Sequence, residues 1–370
     1  MTETATGLEF SRQLSSNRKT EEQRAEVLAD PGFGNHFTDH TAVVDYTAGP
    51  DGHGSWHDAR IEPYGPIPLD PAASVLHYGQ EIFEGMKAYK HDDGSVWTFR
   101  AESNATRMNR SARRLALPQL PEETFLESLR QLVEVDKDWI PTGEGDSLYL
   151  RPYMFATEAF LGVRPSREVS YRVIASPAGN YFGGELKPVS IWLSRNYARA
   201  GRGGTGNAKC GGNYAASLAP QMEAEEHGCK QVLFLDPFND DAVEELGGMN
   251  VFFVFKDGRL VTPALSGTIL EGVTRSSVIQ LGKDRGLDVQ ERKITIDEWE
   301  DGVKSGEITE VFACGTAAVI TPIGELKTEN GDIGSPDAKP GEVTMSLREQ
   351  LLGIQTGKAE DPHGWLTRLA

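Results

Sequence analysis

The segment Gly201-Arg202-Gly203-Gly204-Thr205-Gly206-Asn207-Ala208-Lys209-Cys210-Gly211-Gly212-Asn213-Tyr214 constrains the fold most, because glycines crowd around a single lysine. Glycine weakens helices and strands and lets a backbone pass close to a ligand, so the chain is expected to loop here. The loop falls between a strand expected at Val189 to Ser194 and a helix expected from about Asn213 to His227, which Gly228 can cap. Taken alone, such a stretch also reads as a simple flexible loop. A nucleotide phosphate site is disfavoured. A P-loop carries Gly-Lys-Ser/Thr, whereas here Ala208 precedes Lys209 and Cys210 follows it.

A chain of 370 residues is too long for one small core and suits two domains. We expect an N-terminal arm over residues 1–34, mobile or strapping, since Met1 to Asp30 has no apolar segment of a signal peptide. A smaller domain is expected over 35–179, an interdomain loop over 180–188 where Pro and Gly break the pattern, and a larger domain over 189–370. Residues 49–71, dense in Gly, Pro and His, favour turns over regular elements. Met86 to Lys90 and Val96 to Arg100 flank His91-Asp92-Asp93-Gly94, and Val251 to Phe255 and Arg259 to Thr262 flank Lys256-Asp257-Gly258, so two hairpins are expected. Phe125, Leu129, Leu132, Val133 and Trp139 recur at helical spacing and predict an amphipathic helix lying on a sheet. Strands are expected at Ser147 to Ala156, Tyr171 to Ser176, Gln231 to Asp236 and Thr309 to Cys314, with helices at Gly272 to Gly286 and Asp297 to Lys304. That order suits an α+β or mixed α/β two-domain enzyme.

Charge and cysteines narrow the partners. A net charge of -18 repels phosphate backbones and anionic lipid, so a small-molecule substrate is expected rather than nucleic acid or a membrane. No apolar run reaches the roughly 20 residues of a membrane helix. Cys210, Cys229 and Cys314 have neither metal-ligand spacing nor disulfide density, which fits a reducing cytoplasm. His36/His40 and His53/His57 have the i, i+4 spacing of some metal sites, but neither pair has the Glu of the zinc hydrolases, so no metal is expected.

The lysine of the Gly-rich segment suits a different chemistry: a neutral lysine amine forms a Schiff base with an aldehyde cofactor. Pyridoxal 5'-phosphate (PLP) would then need a phosphate site, a partner for its pyridine nitrogen and a donor to its ring oxygen. Glu245 can serve the nitrogen, although a Glu before a strand is usually surface charge. Two segments read as anion cradles: Leu270-Glu271-Gly272-Val273-Thr274-Arg275, opening a helix, and Cys314-Gly315-Thr316-Ala317-Ala318, following a strand.

Together these segments resemble the class IV PLP enzymes, and in detail the branched-chain amino acid aminotransferases. The run from Glu245 through Asn250, Phe252 and Thr262 to Leu270-Glu271-Gly272-Val273-Thr274-Arg275 is similar to the long class IV signature. The blocks Leu76 to Tyr89, Asn104-Ala105-Thr106-Arg107-Met108 and Tyr149-Leu150-Arg151-Pro152 resemble the family's N-terminal domain, and the likeness covers about Asn35 to Gly324. The resemblance implies a two-domain fold type IV enzyme with PLP at the domain interface, a homodimer, and ping-pong transfer between Leu, Ile or Val and 2-oxoglutarate.

Carried over residue by residue, it implies Lys209 as the Schiff-base lysine and proton shuttle, Tyr214 as donor to the ring oxygen and Glu245 as partner of the pyridine nitrogen. The phosphate would be held by Arg107, the amides of Val273 and Thr274 and the Thr316 hydroxyl. Phe37, Tyr78, Phe83, Tyr181 and Met249 would line the side-chain pocket, although aromatics singly also read as core. The backbone of Thr316 and Ala317, with Tyr149, would hold the α-carboxylate, and Arg151 the distal carboxylate of glutamate. Two departures stand out. Ala318 and Thr321 replace a Cys-x-x-Cys of the mammalian members, so no thiol switch of that kind is expected, and Gly248 replaces a Thr that touches substrate there. A D-amino acid aminotransferase or an aminodeoxychorismate lyase would share Lys209 and Glu245 and stands as the alternative.

Overall fold

Buried apolar side chains along Ser147–Ala156 and Glu168–Ala178 pair these two segments antiparallel over their length, from Ser147 opposite Ala178 to Ala156 opposite Val169. They form the middle of one of two sheets in a computed structural model that describes residues 7–143, 145–179 and 186–370, Asp240 by its backbone alone. The chain divides into two compact units, Met1–Tyr181 with Ile354–Ala370, and Phe182–Gly353.

In the first unit the strands are β1 (Ser11–Arg12), β2 (His40–Ala48), β3 (Gly54–Pro63), β4 (Glu81–Phe83), β5 (Met86–Lys90), β6 (Val96–Phe99), β7 (Ser147–Ala156) and β8 (Glu168–Ala178). The helices are α1 (Glu21–Ala29), α2 (Ser74–Tyr78), α3 (Ala101–Arg114) and α4 (Glu122–Asp136). Among the described residues the sheet order is β1-β3-β2-β8-β7-β5-β6, then Leu366–Arg368, with β4 paired to β7. α4 lies on β2 and β8 through Phe125, Leu129, Leu132 and Val133, all buried, as its periodicity requires. Trp139 falls just beyond it, in a 3-10 turn, with its indole N–H donated to Asp39.

The expected β5–β6 hairpin forms, with Gly94 in the left-handed conformation at φ 84°. The region expected to favour turns differs: after the turn at Gly52, residues 54–63 run on as β3 against β2. Buried Ala59 and Ile61 alternate with Arg60 and Glu62, a strand pattern that the surrounding Gly, Pro and His obscure. A bulge at Asp58, φ 51°, interrupts the register. From Gly7 on, the N-terminal arm straps the unit: β1 pairs parallel with β3, and Arg12 reaches Gln131 and Glu134 on α4. α1 is closed by a Thr20/Gln23 capping box.

The second unit holds β9 (Val189–Leu193), β10 (Gln231–Asp236), β11 (Asn239–Leu246), β12 (Asn250–Phe255), β13 (Arg259–Thr262), β14 (Asp288–Glu291), β15 (Ile308–Gly315), β16 (Val319–Lys327) and β17 (Ile333–Gly334). Its helices are α5 (Gly211–Ala215), α6 (Leu218–Glu226), α7 (Val273–Asp284), α8 (Ile296–Ser305) and α9 (Glu342–Gln355), the last ending in the first unit. The sheet order is β11-β10-β9-β16-β15-β12-β13-β14, with β17 on β16. Both faces are covered: Ile191, Leu233, Phe253 and Trp299 belong to one cluster, and Trp192, Val232 and Phe234 to another. The single helix expected from Asn213 to His227 is two, α5 and α6: Pro220 has no N–H to donate to the Ala216 carbonyl and its ring crowds that carbonyl, so the helical ladder is interrupted there.

The expectation that residues 189–370 form one domain differs at its end. Ile354–Ala370 groups with the first unit, since Leu366–Arg368 pairs antiparallel with β6 and Trp365 meets Phe99 edge-to-face at 5.4 Å. The loop expected over 180–188 lies outside the described residues for 180–185. α9 starts on a side chain from another element: the Glu310 carboxylate accepts from Val343 N at 3.1 Å, Thr344 N at 2.8 Å and Thr344 Oγ1 at 2.7 Å. A Cβ at position 341 would strike that carboxylate, so Gly341 admits the approach.

Removing this cap leaves two helix amides without partners. Glu310→Ala is expected to lower unfolding stability by about 1–2 kcal/mol. A urea midpoint equal to that of the unaltered protein, at the same slope, would contradict the capping role.

Candidate functional site

In the second unit the Gly-rich loop is held by its own polar side chains. Asn213 donates to the carbonyls of Thr205 and Ala208, each at 2.8 Å, and accepts from the Thr205 hydroxyl at 2.8 Å. Gly206 packs against the backbone of Thr268 with no room for a Cβ. The loop therefore delivers Lys209 in a defined position just before α5. One helical turn later, Tyr214 Oη accepts a hydrogen bond from Lys209 Nζ at 2.6 Å. A nucleophilic amine with a phenol beside it can exchange a proton locally.

Glu245, at the end of β11, is buried and ion-paired to Arg199 at 2.8 Å, both side chains under 5% exposed. Its carboxylate also accepts from Leu270 N at 2.8 Å and Asn250 Nδ2 at 3.2 Å. Burial pushes its pKa up to about 7, against the lowering effects of Arg199, the Leu270 amide and Lys209; Glu244 adds to the rise. A cationic ring nitrogen beside it would favour the charged form. Arg199 also donates to Gly206 O at 3.2 Å and Thr268 O at 2.9 Å, joining the loop to the segment that leads into α7.

The two segments expected as cradles lie at the start of α7 and in the turn after β15. Gly272 is the N-cap of α7 and Val273 and Thr274 are its first residues, both buried; a Cβ at Gly272 would strike the Asn250 side chain. These are positions where helix amides face an anion. Residues 316–318 form the turn between β15 and β16, whose last pair is Gly315 opposite Val319. Met249, buried, lies 3.1 Å through its Cγ from where a Gly315 Cβ would be. At Gly248 a Cβ would meet only Tyr214 Cε1, at 3.9 Å, so the space beside that ring is open. The Cys314 thiol is buried and pushed up to about 12, chiefly by that burial, which makes it unreactive.

In the first unit Arg107, on α3, is buried and clasps Glu84, Nε to Oε1 at 2.8 Å and Nη2 to Oε2 at 2.7 Å, while Asn104 Nδ2 donates to the same carboxylate at 2.8 Å. Tyr149 and Arg151 are adjacent on one face of β7: Arg151 Nη2 donates to Tyr149 Oη at 2.9 Å, and its guanidinium lies 4.8 Å from the Phe83 ring. Arg151 Nε is buried with no hydrogen-bond partner among the described residues, an orphan donor suited to an anionic ligand. Phe37 stacks on Tyr64 at 5.0 Å, and Tyr78 donates its hydroxyl to Leu161 O. Tyr181 lies outside the described residues.

Arg199 and Glu84 went unassigned at the sequence level. Glu84 lies inside the Leu76–Tyr89 block, and Arg199 lies outside the segments singled out, two residues before the Gly-rich loop. Only folding shows which opposite charge each one meets. One histidine of each pair meets a carboxylate, His40 Nδ1 at 2.6 Å from Asp136 and His57 Nδ1 at 2.8 Å from Asp58, and both of these lie on strands rather than a helix.

The family model described as amino-transferase class IV matches residues 81–326. The chain is 57% identical over 366 residues to a branched-chain-amino-acid aminotransferase of Mycolicibacterium smegmatis, covering 98% of each. It is 55% identical to that of Mycobacterium tuberculosis, covering 99% of this chain and 100% of that one. Among solved structures, the Escherichia coli branched-chain amino acid aminotransferase superposes with a TM-score of 0.74 at 27% identity, over 90% of this chain and 99% of that one. The T.th. branched-chain amino acid aminotransferase, with pyridoxamine 5'-phosphate, gives 0.72 at 30% identity, over 89% of this chain and 99% of that one.

Glu245 gives stability a distinctive pH dependence. A carboxyl whose folded pKa is raised from 4.5 to about 7 binds its proton more tightly when folded, so its contribution is present below pH 4.5 and is lost as pH rises through about 7. Unfolding stability of the cofactor-free protein is expected to fall across that window. Glu245→Gln is expected to flatten the fall, and an equal slope in both proteins would refute the assignment.

Proposed function

The chain belongs to the class IV aminotransferase family, and from that premise we infer that it transfers amino groups between leucine, isoleucine or valine and 2-oxoglutarate, with PLP as its cofactor. Transfer would be ping-pong: the amino acid would depart as its oxo acid before 2-oxoglutarate enters, and 2-oxoglutarate would leave as glutamate. The observation that carries this reading is Lys209 Nζ poised 2.6 Å from Tyr214 Oη. The donor set fits PLP: an amine for its aldehyde, a phenol, a buried carboxylate backed by Arg199, and a helix N-terminus at Val273 and Thr274. When bound, the cofactor supplies an aldehyde that captures amino groups and a ring that withdraws electrons.

The protein's part is to bind, orient and move protons. Lys209 holds the cofactor and, once freed, carries the substrate α-proton on Nζ, with Tyr214 fixing the direction of that amine. Glu245 keeps a ring nitrogen protonated, because its charge, held by Arg199, favours a cation beside it. Arg107, oriented by Glu84, the amides of Val273 and Thr274 and the Thr316 hydroxyl hold the phosphate. The backbone of Thr316 and Ala317, assisted by Tyr149, grips the α-carboxylate, while Phe37, Tyr78, Phe83 and Met249 supply the apolar pocket. Arg151, whose Nε has no partner among the described residues, takes the distal carboxylate of glutamate. Homodimeric assembly and a cytoplasmic location complete the proposal; among the described residues no helix is long and apolar enough to cross a membrane.

Leucine added alone to the purified protein should bleach a visible cofactor band, and 2-oxoglutarate should restore it. Lys209→Ala is expected to fold but to do neither; near-normal turnover in that variant would sink the reading. Arg151→Ala is expected to cost on the order of 100-fold in kcat/KM with glutamate and under about three-fold with leucine. Equal losses would remove Arg151 from its role.

A further inference from the structure

The turn between β15 and β16 contains a conformation that needs outside support. Val319, which ends the turn, has φ 61°, in the left-handed region. A β-branched side chain is a poor occupant of that region, and such a residue persists only where its surroundings hold it, at a cost of about 1–3 kcal/mol. The carbonyls on either side of it are both taken by one side chain. Arg348 Nη1 donates to Ala318 O at 2.9 Å and to Ile320 O at 2.7 Å.

Arg348 comes from α9, which is itself fixed at two places. Its start is capped by Glu310, and Leu347 and Leu351, which flank Arg348, are fully buried. The guanidinium is thus presented from a firm base to the back of the turn that contains Thr316 and Ala317. We propose that Arg348 is a positioning residue that sets the shape of the β15–β16 turn and, through it, the grip of Thr316 and Ala317 on the substrate α-carboxylate. The proposal rests on the reading of that turn as the carboxylate site. Its logic is that both N–H bonds of one nitrogen bracket the strained residue, so the turn keeps a single conformation before substrate arrives. Preorganised amides bind an anion more strongly than amides that must first be ordered. The cation behind the turn also adds to the local attraction for anions.

The test uses the PLP-loaded enzyme and 4-methylvalerate, a branched carboxylate with no amino group to react, with binding measured by calorimetry. Arg348→Met is expected to weaken 4-methylvalerate about ten-fold and to raise KM for leucine comparably, with kcat within about two-fold. Amide hydrogen exchange across residues 316–320 should accelerate, and Arg348→Lys should recover part of the binding. Adding Val319→Gly to Arg348→Met should also recover binding, because glycine holds a positive φ without strain. Unaltered 4-methylvalerate binding in Arg348→Met, or a fall in kcat with KM unchanged, would overturn the proposal. If the methionine variant does not fold, Arg348→Lys carries the same test: intermediate weakening supports the proposal and unaltered binding overturns it. Ala317→Pro separates the two levels of inference, since it deletes an amide of the turn itself. Unaltered binding in Ala317→Pro defeats the carboxylate reading and the Arg348 proposal with it; weakened binding there beside unaltered binding in Arg348→Met defeats only the latter.

Discussion

The buried ion pair between Arg199 and Glu245 is the constraint around which the second unit's site is arranged. Removing one partner of such a pair leaves an uncompensated buried charge, typically costing about 3–5 kcal/mol. Here the pair also joins three segments distant in sequence. Arg199 binds carbonyls of the Gly-rich loop and of Thr268, while Glu245 binds the Leu270 amide just ahead of α7. The loop that presents Lys209 and the N-terminus of α7 are therefore referred to the same two charges. A change at Arg199 acts on Glu245 directly and on the placement of both neighbours indirectly.

The first unit contains a buried pair of the same type with the roles exchanged. Glu84 and Arg107 meet through two hydrogen bonds, and there the arginine is the proposed ligand-binding group and the carboxylate its support. In both cases a flexible charged side chain is fixed in orientation before any ligand is present. Fixing it in advance removes an entropic cost from binding. The same logic runs through Arg151, which Tyr149 and the Phe83 ring hold while one donor has no partner among the described residues.

Elements were legible in the sequence where local chemistry decides them. The turns at His91–Gly94 and Lys256–Gly258 mark their hairpins because glycine supplies the positive φ, and α4 is written in the spacing of Phe125, Leu129, Leu132 and Val133. β3 was hidden because its flanks are rich in Gly and Pro and only Ala59 and Ile61 mark its buried face. The division of Asn213 to His227 into two helices was readable in Pro220, although the surrounding apolar pattern masked it. Lys209, Tyr214 and Glu245 carry motif signals, so the resemblance reached them. Arg199 and Arg348 lie outside those motifs, and Glu84 lies inside one without a role of its own there, because each acts by meeting a partner elsewhere along the chain. Such pairings come from topology, which residue patterns do not encode locally.

The C-terminal strand Leu366–Arg368 lies beside β6, at the end of a sheet whose other strands all precede residue 179. During synthesis residues 7–179 are made before the second unit, yet their sheet lacks this strand until residues 366–368, which follow the second unit, leave the ribosome. Until then β6 has an open side, the kind of edge that invites pairing with other chains. The order of translation and the order of completion are thus opposed: the domain begun first is finished last. Loss of residues 366–368 would act first on the maturation of the N-terminal half, at a stage when the finished protein does not yet exist.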